Sequence, residues 1–282
     1  MAPVVAVIAP GMMGSAVGKR LAENGLNVTT VLSGRSEESA ARARAAGLTP
    51  VSEAEAVSAD ILMSIVPPAA ALPLAERLMP HLQGTRWKPI YVDCNAVQPR
   101  TVERIAAVIT ATGCPFVDAG IIGGPPKAGY DGPIFYASGE AAPRFAALGQ
   151  HGLKIRVLDG AVGAASAVKM SYAGITKGFT ALGAAMMLAA AREGTADTLY
   201  KELSESQPQL FAWLTRQMPQ MFPKAYRWVA EMEEIADFVG EDAAARQIVG
   251  GMAPLYARLA ADFAGDKHEI DALTAFVKGG KA

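Results

Sequence analysis

One lysine stands at the start of a long apolar segment, where it could move a proton. Lys169 follows a glycine-rich stretch at 160–163 and precedes a mostly apolar run that extends to Ala191. Apolar surroundings lower the pKa of an amine towards neutrality, and a general acid or base needs a pKa near that value. The pattern therefore predicts Lys169 as a proton donor or acceptor. The alternative is a lysine whose stem lies along a helix while its ammonium group reaches solvent.

A glycine loop near the N-terminus has the form that binds the phosphates of a dinucleotide. Residues 9–14 follow the first predicted strand and read Ala9, Pro10, Gly11, Met12, Met13 and Gly14. Glycine at 11 lets the backbone approach a pyrophosphate, and glycine at 14 lets the next helix pack closely on the strand. The helix N-terminus adds N–H donors and a positive dipole end. The loop predicts a dinucleotide site, and a tight glycine turn without a ligand is the alternative.

The end of the second predicted strand should decide between the two nicotinamide cofactors. An acidic residue there hydrogen-bonds the ribose 2′-hydroxyl of NAD. This chain instead has Ser33, Gly34, Arg35 and Ser36, with no carboxylate before Glu37. Arg35 can stack on adenine and pair with a 2′-phosphate, and both serines can donate hydrogen bonds to that phosphate. The segment predicts NADPH over NADH. Without a bound dinucleotide, Arg35 would be an ordinary solvated charge.

The first half of the chain alternates between strand and helix patterns. We predict strands at 4–8, 28–32, 61–66, 90–94, 116–118, 134–138 and 155–158, and helices at 15–24, 37–46, 69–82 and 101–112. Such alternation predicts an α/β fold with a mostly parallel, doubly wound sheet. The first domain is assigned to residues 1–160.

From about residue 163 the pattern becomes helical, which predicts an all-helical domain over 161–282. Four prolines should divide it: Pro208, Pro219, Pro223 and Pro254. A helix over 164–191 would be roughly 42 Å long, more than a small domain covers. We expect a second copy of the chain to cover its far part and form a homodimer, with a third layer of the same chain as the alternative.

Composition excludes several classes of function. The net charge of −1 gives no reason to expect a nucleic acid or a membrane surface as partner. Two cysteines cannot form a disulfide framework, and the three histidines are too far apart in sequence to predict a metal site. The N-terminus has no basic region of the kind that begins a signal peptide. We expect a cytoplasmic protein with a small-molecule substrate.

Four segments, in this order and spacing, resemble the β-hydroxyacid dehydrogenase family, which includes the 3-hydroxyisobutyrate and 6-phosphogluconate dehydrogenases. They are the loop 9–14, the turn 34–36, the segment 118–124 and the stretch 160–169 with its lysine. The resemblance covers essentially the whole chain and is closest to the branch that ends in a phosphogluconate dehydrogenase-like domain of unknown function. It implies a Rossmann domain, a helical dimerisation domain and an active site between them.

The resemblance also implies roles for individual residues. Lys169 matches the catalytic lysine. Val66, Pro67 and Pro68 match a loop near the nicotinamide ribose, and Asn95 matches a polar position beside the nicotinamide. The family's substrate segment corresponds here to Ile122, Gly123 and Gly124.

Departures from the family pattern concern the substrate. The family serine is Ile122 here, and the family asparagine after the lysine is Ala173. Tyr172 stands where phosphogluconate dehydrogenases have histidine, so it could orient the substrate or assist proton transfer, or it could be a core aromatic residue. The segment 125–132 could shape the mouth of the pocket or be a structural loop. Lys177, further along the same helix, is expected to be structural or at an interface.

These observations predict an NADPH-dependent oxidoreductase that acts on a small β-hydroxy or β-keto acid or a semialdehyde. Two alternatives stay open. Imine reduction would suit an apolar pocket, although imine-reducing relatives usually replace the lysine. A non-catalytic NADP-binding sensor would explain the two departures at Ile122 and Ala173.

Overall fold

The computed structural model describes residues 2–279. The chain forms two compact units, one up to Met170 and one from Ser171 onward.

The first unit contains a single eight-stranded sheet in the order β3-β2-β1-β4-β5-β6-β7-β8. The strands are β1 (Val4–Ile8), β2 (Asn27–Val31), β3 (Thr49–Val51), β4 (Ile61–Ser64), β5 (Ile90–Asp93), β6 (Phe116–Ile122), β7 (Ile134–Ser138) and β8 (Lys154–Val157). Every neighbouring pair is parallel except β6 and β7. Strand order reverses at β1, which pairs with both β2 and β4. In open α/β sheets ligands bind outside the carboxyl ends of the strands at such a switch point.

Helices cover both faces of the sheet. They are α1 (Met12–Glu23), α2 (Glu37–Ala45), α3 (Glu53–Ala56), α4 (Pro68–Gly84), α5 (Pro99–Thr110) and α6 (Ala142–Ala146), and a short 3₁₀ helix follows at Ala147–His151. Leu21 of α1 and Phe145 of α6 belong to one buried apolar cluster. Leu78 of α4 and Ile105 of α5 belong to the other. The predicted doubly wound Rossmann architecture is therefore confirmed.

Two differences from the sequence prediction arise from tertiary pairing. Strand β6 extends to Ile122, beyond the predicted 116–118, because its last residues pair antiparallel with β7, Ile122 opposite Ile134. Strand β3 was not predicted. It is only three residues long and contains Pro50, yet it pairs with the edge of β2. Edge pairing of this kind leaves little trace in local residue pattern.

The second unit is helical, as predicted. Its helices are α7 (Ala164–Arg192), α8 (Ala196–Ser206), α9 (Pro208–Met221), α10 (Ala225–Phe238), α11 (Ala243–Gly250), α12 (Met252–Ala264) and α13 (His268–Val277), with a 3₁₀ turn at Phe222–Lys224. Pro208 begins α9 and Pro223 lies in the 3₁₀ turn, so both separate consecutive helices, as predicted. Pro219, however, lies inside α9, and Pro254 lies in the first turn of α12, where a missing N–H costs nothing.

Helix α7 crosses the division of the chain. The sequence predicts a boundary at 160, whereas the two units divide after Met170. The physical reason is that the N-terminal end of α7 is hydrogen-bonded to strands of the first unit: Gly163 and Ser166 donate to Asp118, and the backbone N–H of Ala165 donates to the Ser138 hydroxyl.

Helix α7 is also the one described helix that is long and apolar enough to cross a membrane, with a mean hydropathy of 1.3. In the structure 44% of that window is buried. A core helix of a water-soluble protein passes the same test of length and composition.

Candidate cofactor and catalytic site

The predicted cofactor loop joins β1 to α1 and has the shape that a pyrophosphate requires. Gly11 is the N-cap of α1, and no side chain caps this helix end. A Cβ added at Gly11 would meet no atom within 4 Å. At Gly14 a Cβ would lie 2.0 Å from the carbonyl oxygen of Ala9, so only glycine fits there. The loop therefore presents helix N–H groups to open space, as a bound phosphate needs.

The other loop residues hold this turn in place. Ala9 and Pro10 are buried, Met13 is partly buried, and Met12 is exposed. The backbone N–H of Ala9 donates to the carbonyl oxygen of Ile65 at 3.2 Å. This bond places the loop beside the start of the predicted ribose segment, Val66, at the switch point of the sheet.

The segment Val66, Pro67 and Pro68 connects β4 to α4. Pro68 is the first residue of α4 and Pro67 its N-cap, which suits proline because this position needs no N–H donor. The backbone N–H of Val66 donates to the side-chain oxygen of Asn95 at 2.7 Å. The structure thus brings together three segments that the sequence assigned separately to the cofactor.

Asn95 is buried and fully engaged within the protein. Its amide nitrogen donates to the Ser64 hydroxyl and to Asp93, both at 2.8 Å. With Val66 bound to its oxygen, the side chain fastens the end of β4 to the end of β5. Asn95 therefore positions the 66–68 segment, and its contact with nicotinamide stays a prediction.

A row of buried polar side chains crosses four strands near their ends. Ser64, Asp93, Asp118 and Ser138 lie opposite one another in the strand register, and each is at most 1% exposed. Burial raises the pKa of Asp93 to about 7, against the effect of the Asn95 hydrogen bonds and reinforced by the charge of Asp118. Burial likewise raises the pKa of Asp118, opposed by its hydrogen bonds to the start of α7.

Asp118 begins the predicted substrate segment, but its carboxylate caps α7. It accepts hydrogen bonds from the backbone N–H groups of Gly163 at 2.9 Å and Ser166 at 3.0 Å, and from the Ser166 hydroxyl at 2.7 Å. Ser138 adds a further donor at 3.2 Å. An anion at a helix N-terminus satisfies its N–H groups and complements its dipole. The sequence pattern marks this aspartate only as the first residue of the segment 118–124. Its role as a cap could not be predicted, because its hydrogen-bond partners lie far along the chain.

The same contact brings Lys169 to the substrate segment. A Cβ at Gly120 would lie 2.8 Å from the carbonyl oxygen of Ala165 and 3.0 Å from Cβ of Lys169. Helix α7 therefore crosses β6 so closely that only glycine fits at 120, and the lysine stem begins at that crossing. Two residues later β6 ends at Ile122, followed by Gly123 and Gly124.

The end of the substrate segment is covered by an aromatic side chain that the sequence did not single out. A Cβ at Gly123, whose φ is +124°, would lie 2.4 Å from the hydroxyl oxygen of Tyr130. Arg20 of α1 donates to the backbone carbonyl oxygens of Tyr130 at 2.8 Å and Lys127 at 3.1 Å. The segment 125–132 is thus an anchored loop whose tyrosine lies on the substrate segment.

The two remaining predicted residues lie beyond the division of the chain. Tyr172 is 50% exposed, so the alternative in which it is a core aromatic residue is wrong. Ala173 is 1% exposed, and its methyl group packs inside the chain. Its contact with a substrate stays a prediction.

The predicted 2′-phosphate residues lie on the exposed turn between β2 and α2. Ser33, Gly34, Arg35 and Ser36 are all exposed, and Gly34 has a φ of +70°, which glycine adopts without strain. Ser36 is the N-cap of α2 and accepts the backbone N–H of Ser39 at 3.3 Å. Its own hydroxyl hydrogen points to the Ser39 hydroxyl, 3.2 Å away.

Within residues 2–279, no group of three or more histidine, cysteine or acidic side chains could hold a metal ion. Cys94 and Cys114 are buried free thiols.

Comparisons with known proteins agree with this geometry. Residues 4–149 match the NAD binding domain of 6-phosphogluconate dehydrogenase, and residues 190–259 match a domain of unknown function. Among solved structures, a conserved protein of unknown function, described as structurally similar to 3-hydroxyacid dehydrogenases, is 29% identical, with a TM-score of 0.71 and coverage of 96% of this chain and 99% of that one.

Two further structures share the fold at lower identity. The 3-hydroxyisobutyrate dehydrogenase of Mycobacterium tuberculosis with L-serine is 21% identical over 99% of both chains, with a TM-score of 0.75. An imine reductase from Myxococcus stipitatus in complex with NAD⁺ is 21% identical, with a TM-score of 0.57 and coverage of 98% of this chain and 100% of that one.

The family match covers just over half of the chain and includes the cofactor loop described above. The predicted resemblance, including the C-terminal domain of unknown function, is confirmed. The chain therefore belongs to the β-hydroxyacid dehydrogenase family and is an NAD(P)-dependent dehydrogenase or reductase.

Proposed function

We propose that this protein transfers a hydride between NADPH and a small β-keto acid or semialdehyde, and that Lys169 moves the accompanying proton. The observation that carries the proposal is the close crossing of α7 over β6 at Gly120, where the Lys169 stem begins. This crossing lies two residues before Ile122 and the two glycines of the substrate segment.

Each part of the chain has a defined task in this reaction. The pyrophosphate would lie at Gly11 and the N-terminus of α1, and the 2′-phosphate near Ser33, Arg35 and Ser36. When bound, the nicotinamide would exchange a hydride with the carbonyl carbon of the substrate. In the reducing direction the Lys169 ammonium donates its proton to the carbonyl oxygen, which becomes a hydroxyl. In the oxidising direction the neutral amine takes that proton back.

The position of Lys169 depends on the buried carboxylate of Asp118, which caps the N-terminus of α7. Asp118 fixes the first turn of α7 through three hydrogen bonds, so the helix cannot slide along β6 without breaking them. Ile122 contributes an apolar wall where the family has a serine. We therefore expect a less polar substrate than hydroxyisobutyrate or phosphogluconate.

The test is turnover by Lys169→Met against a panel of short keto acids, semialdehydes and aldehydes with NADPH. General acid catalysis contributes about 10²- to 10⁴-fold, so kcat should fall at least about 100-fold while the Kd for NADPH stays within about 2-fold. Lys201→Met, a substitution on the exposed surface of α8, is the control and should keep wild-type turnover. Wild-type turnover by Lys169→Met would exclude the mechanism.

The same panel separates the alternatives. Cyclic imines are included because the apolar Ile122 would suit them. Turnover of imines without carbonyl reduction would favour an imine reductase. Tight NADPH binding with no turnover of any compound would favour a sensor.

We also propose that the protein is a homodimer formed through an apolar stripe on α7. Six large apolar side chains on this helix are between 37% and 60% exposed. They are Val168, Tyr172, Ile175, Phe179, Leu182 and Met186. Their spacing alternates between four and three residues, which places them in one narrow stripe on the helix surface.

A second copy of the chain is the occupant that this stripe fits best. The stripe contains no charged side chain, so a charged partner gains nothing from it. With about 200 Å² for a large side chain, the exposed parts amount to roughly 600 Å² per chain. That is at the upper end of the largest patches on monomers and approaches the roughly 800 Å² per partner of a stable interface. A stripe with heptad spacing is also complementary to itself across a two-fold axis.

A further inference from the structure

We propose that Ser39 and Arg42 complete the 2′-phosphate site, and that Glu38 holds the place of the phosphate on Arg42 until NADP binds. This inference rests on the proposed preference for NADPH. It assigns the firmest contact with the phosphate to Arg42, a residue outside the turn 33–36 that the sequence singled out.

A continuous chain of hydrogen bonds links that turn to the cofactor loop. The Ser36 hydroxyl donates to the Ser39 hydroxyl at 3.2 Å, and Nη2 of Arg42 donates to the same Ser39 oxygen at 2.9 Å. Nε of Arg42 donates to the carbonyl oxygen of Pro10 at 3.5 Å. Ser36, Ser39 and Arg42 are spaced by three residues, so they lie along one side of α2. This side faces the loop at which the pyrophosphate of a dinucleotide binds.

The guanidinium of Arg42 is held in place before any ligand arrives. Its side chain is 30% exposed and is fixed at Pro10 and Ser39, whereas Arg35 lies on an exposed turn. A donor that is already oriented loses less conformational entropy on binding. The N-terminus of α2 adds a positive dipole end on the same side.

The third partner of Arg42 is the carboxylate of Glu38, which can move away from the guanidinium group. Arg42 pairs with Glu38, one turn earlier on α2, and the Glu38 side chain is 83% exposed. Exposed pairs of this kind contribute little to stability, so Glu38 can rotate into solvent at low cost. A phosphate carries more charge than a carboxylate and pairs with both prongs of an arginine. The exchange of Glu38 for phosphate on Arg42 is therefore favourable, and NAD offers no phosphate to drive it.

Helix α2 provides its own control pair. Arg44 pairs with Glu37, and both side chains are well exposed, at 59% and 82%. Arg44 lies two residues after Arg42 and so points to a different side of the helix. Substitutions at Arg44 and Glu37 thus change the charge of α2 equally without touching the proposed site.

The experiment is calorimetric titration with 2′,5′-ADP and with 5′-ADP, two fragments that differ only in the 2′-phosphate. We expect Arg42→Gln to raise the Kd for 2′,5′-ADP at least 10-fold and to leave that for 5′-ADP within 2-fold. Glu38→Gln should lower the Kd for 2′,5′-ADP about 3-fold, because the competing charge is gone. Arg44→Gln and Glu37→Gln should stay within 2-fold of wild type for both fragments.

A second variant guards against misfolding. Arg42→Lys keeps the charge but loses the forked geometry, so its Kd for 2′,5′-ADP should fall between those of wild type and Arg42→Gln. If Arg42→Gln behaves like Arg44→Gln, the inference is wrong while the NADPH preference stands. If the wild-type protein itself binds both fragments equally, the NADPH preference has failed, and the site fails with it.

Discussion

The two units of this chain bury polar groups in different ways. The first unit buries a row of hydroxyl and carboxyl groups near the strand ends, and these are hydrogen-bonded to backbone N–H groups of neighbouring loops and of α7. The helical unit buries an ion pair between Lys177 of α7 and Glu231 of α10. Nζ of that lysine lies 5.0 Å from the ring centre of Trp228.

The two kinds of buried polar contact have different effects: one positions loops and helix ends, and the other controls how helices pack. Side-chain bonds to backbone N–H groups decide where a loop or a helix end lies, so the polar row controls the geometry of the candidate site. An ion pair between two helices controls how they pack. Lys177 and Lys169 lie on the same helix, but only Lys169 begins at the edge of the substrate segment.

Breaking the ion pair should produce the largest loss of stability. Glu231→Gln removes the negative charge that faces the mostly buried Lys177, and removing one partner of a buried pair costs about 3–5 kcal/mol. Urea unfolding measures the loss. Glu233→Gln, at an exposed position of the same helix, should change stability by less than about 0.5 kcal/mol. Equal effects of the two substitutions would show that the pair does not hold the helices together.

In the cofactor loop, alanine should lower folding stability at Gly14 but not at Gly11. Gly14→Ala places a Cβ 2.0 Å from a backbone oxygen, so the helix must shift, at a cost of about 1–3 kcal/mol, and the Kd for NADPH should rise at least 10-fold. Gly11→Ala adds a methyl group that meets no protein atom within 4 Å, so its stability should be close to wild type. Its methyl group would still obstruct a phosphate and weaken NADPH binding. Thermal unfolding and fluorescence titration of both variants test the pair, and equal unfolding temperatures would contradict the packing argument.

The apolar stripe should control association and not folding. Leu182→Glu places a charge in the middle of the stripe, so we expect a dimer of the wild-type protein to become a monomer with little change in helix content. Ile248→Glu is the control, because Ile248 is 70% exposed but lies on α11, outside the stripe. Sedimentation equilibrium distinguishes the two. A monomeric wild-type protein, or a dimer that survives Leu182→Glu, would refute the proposed interface.

The smallest predicted effect is a dependence of the free energy of unfolding on pH, which arises from Asp93 in the row of buried polar side chains. The pKa of Asp93 is about 7 in the folded protein, above the usual value of about 3.9 in an unfolded chain. The folded protein therefore holds this proton more tightly, and stability falls as pH rises through 7. We expect a loss of about 1 kcal/mol between pH 6 and pH 8.

Substitution of Asp93 tests the origin of that slope. Asp93→Asn cannot titrate, so the slope between pH 6 and pH 8 should become shallower in denaturant unfolding. Ser58→Ala, at an exposed position of the first unit that carries no titrating group, is the control and should leave the slope as in wild type. A slope that persists unchanged in Asp93→Asn would assign the pH dependence to another group.

Local pattern was enough for most of the fold. Short apolar runs predicted seven of the strands near their observed places. Gly25, Gly47 and Gly113 follow α1, α2 and α5 with a positive φ, which is a local signal of a helix end. The cofactor loop was also readable, since both glycines lie in the short turn between one strand and the next helix. These features depend on residues close together in the chain, which is why the sequence displays them.

Contacts between distant residues were not readable. Nothing local distinguishes Asp118 as the cap of α7, because its partners lie 45 to 48 residues later. Arg42 looked like any surface arginine until the fold brought it to Pro10. The same is true of Tyr130, whose hydroxyl lies at Gly123 only because Arg20 anchors the intervening loop.

The sequence by itself determined the family, the doubly wound sheet, the glycine loop and the lysine, since each follows from residue type and short-range spacing. The tertiary structure alone decided that α7 crosses β6 at a glycine, that a buried aspartate holds this crossing, and that an apolar stripe remains on the surface. The physical reason is that burial and long-range hydrogen bonding depend on which segments meet, and one chain's local pattern does not record its distant neighbours.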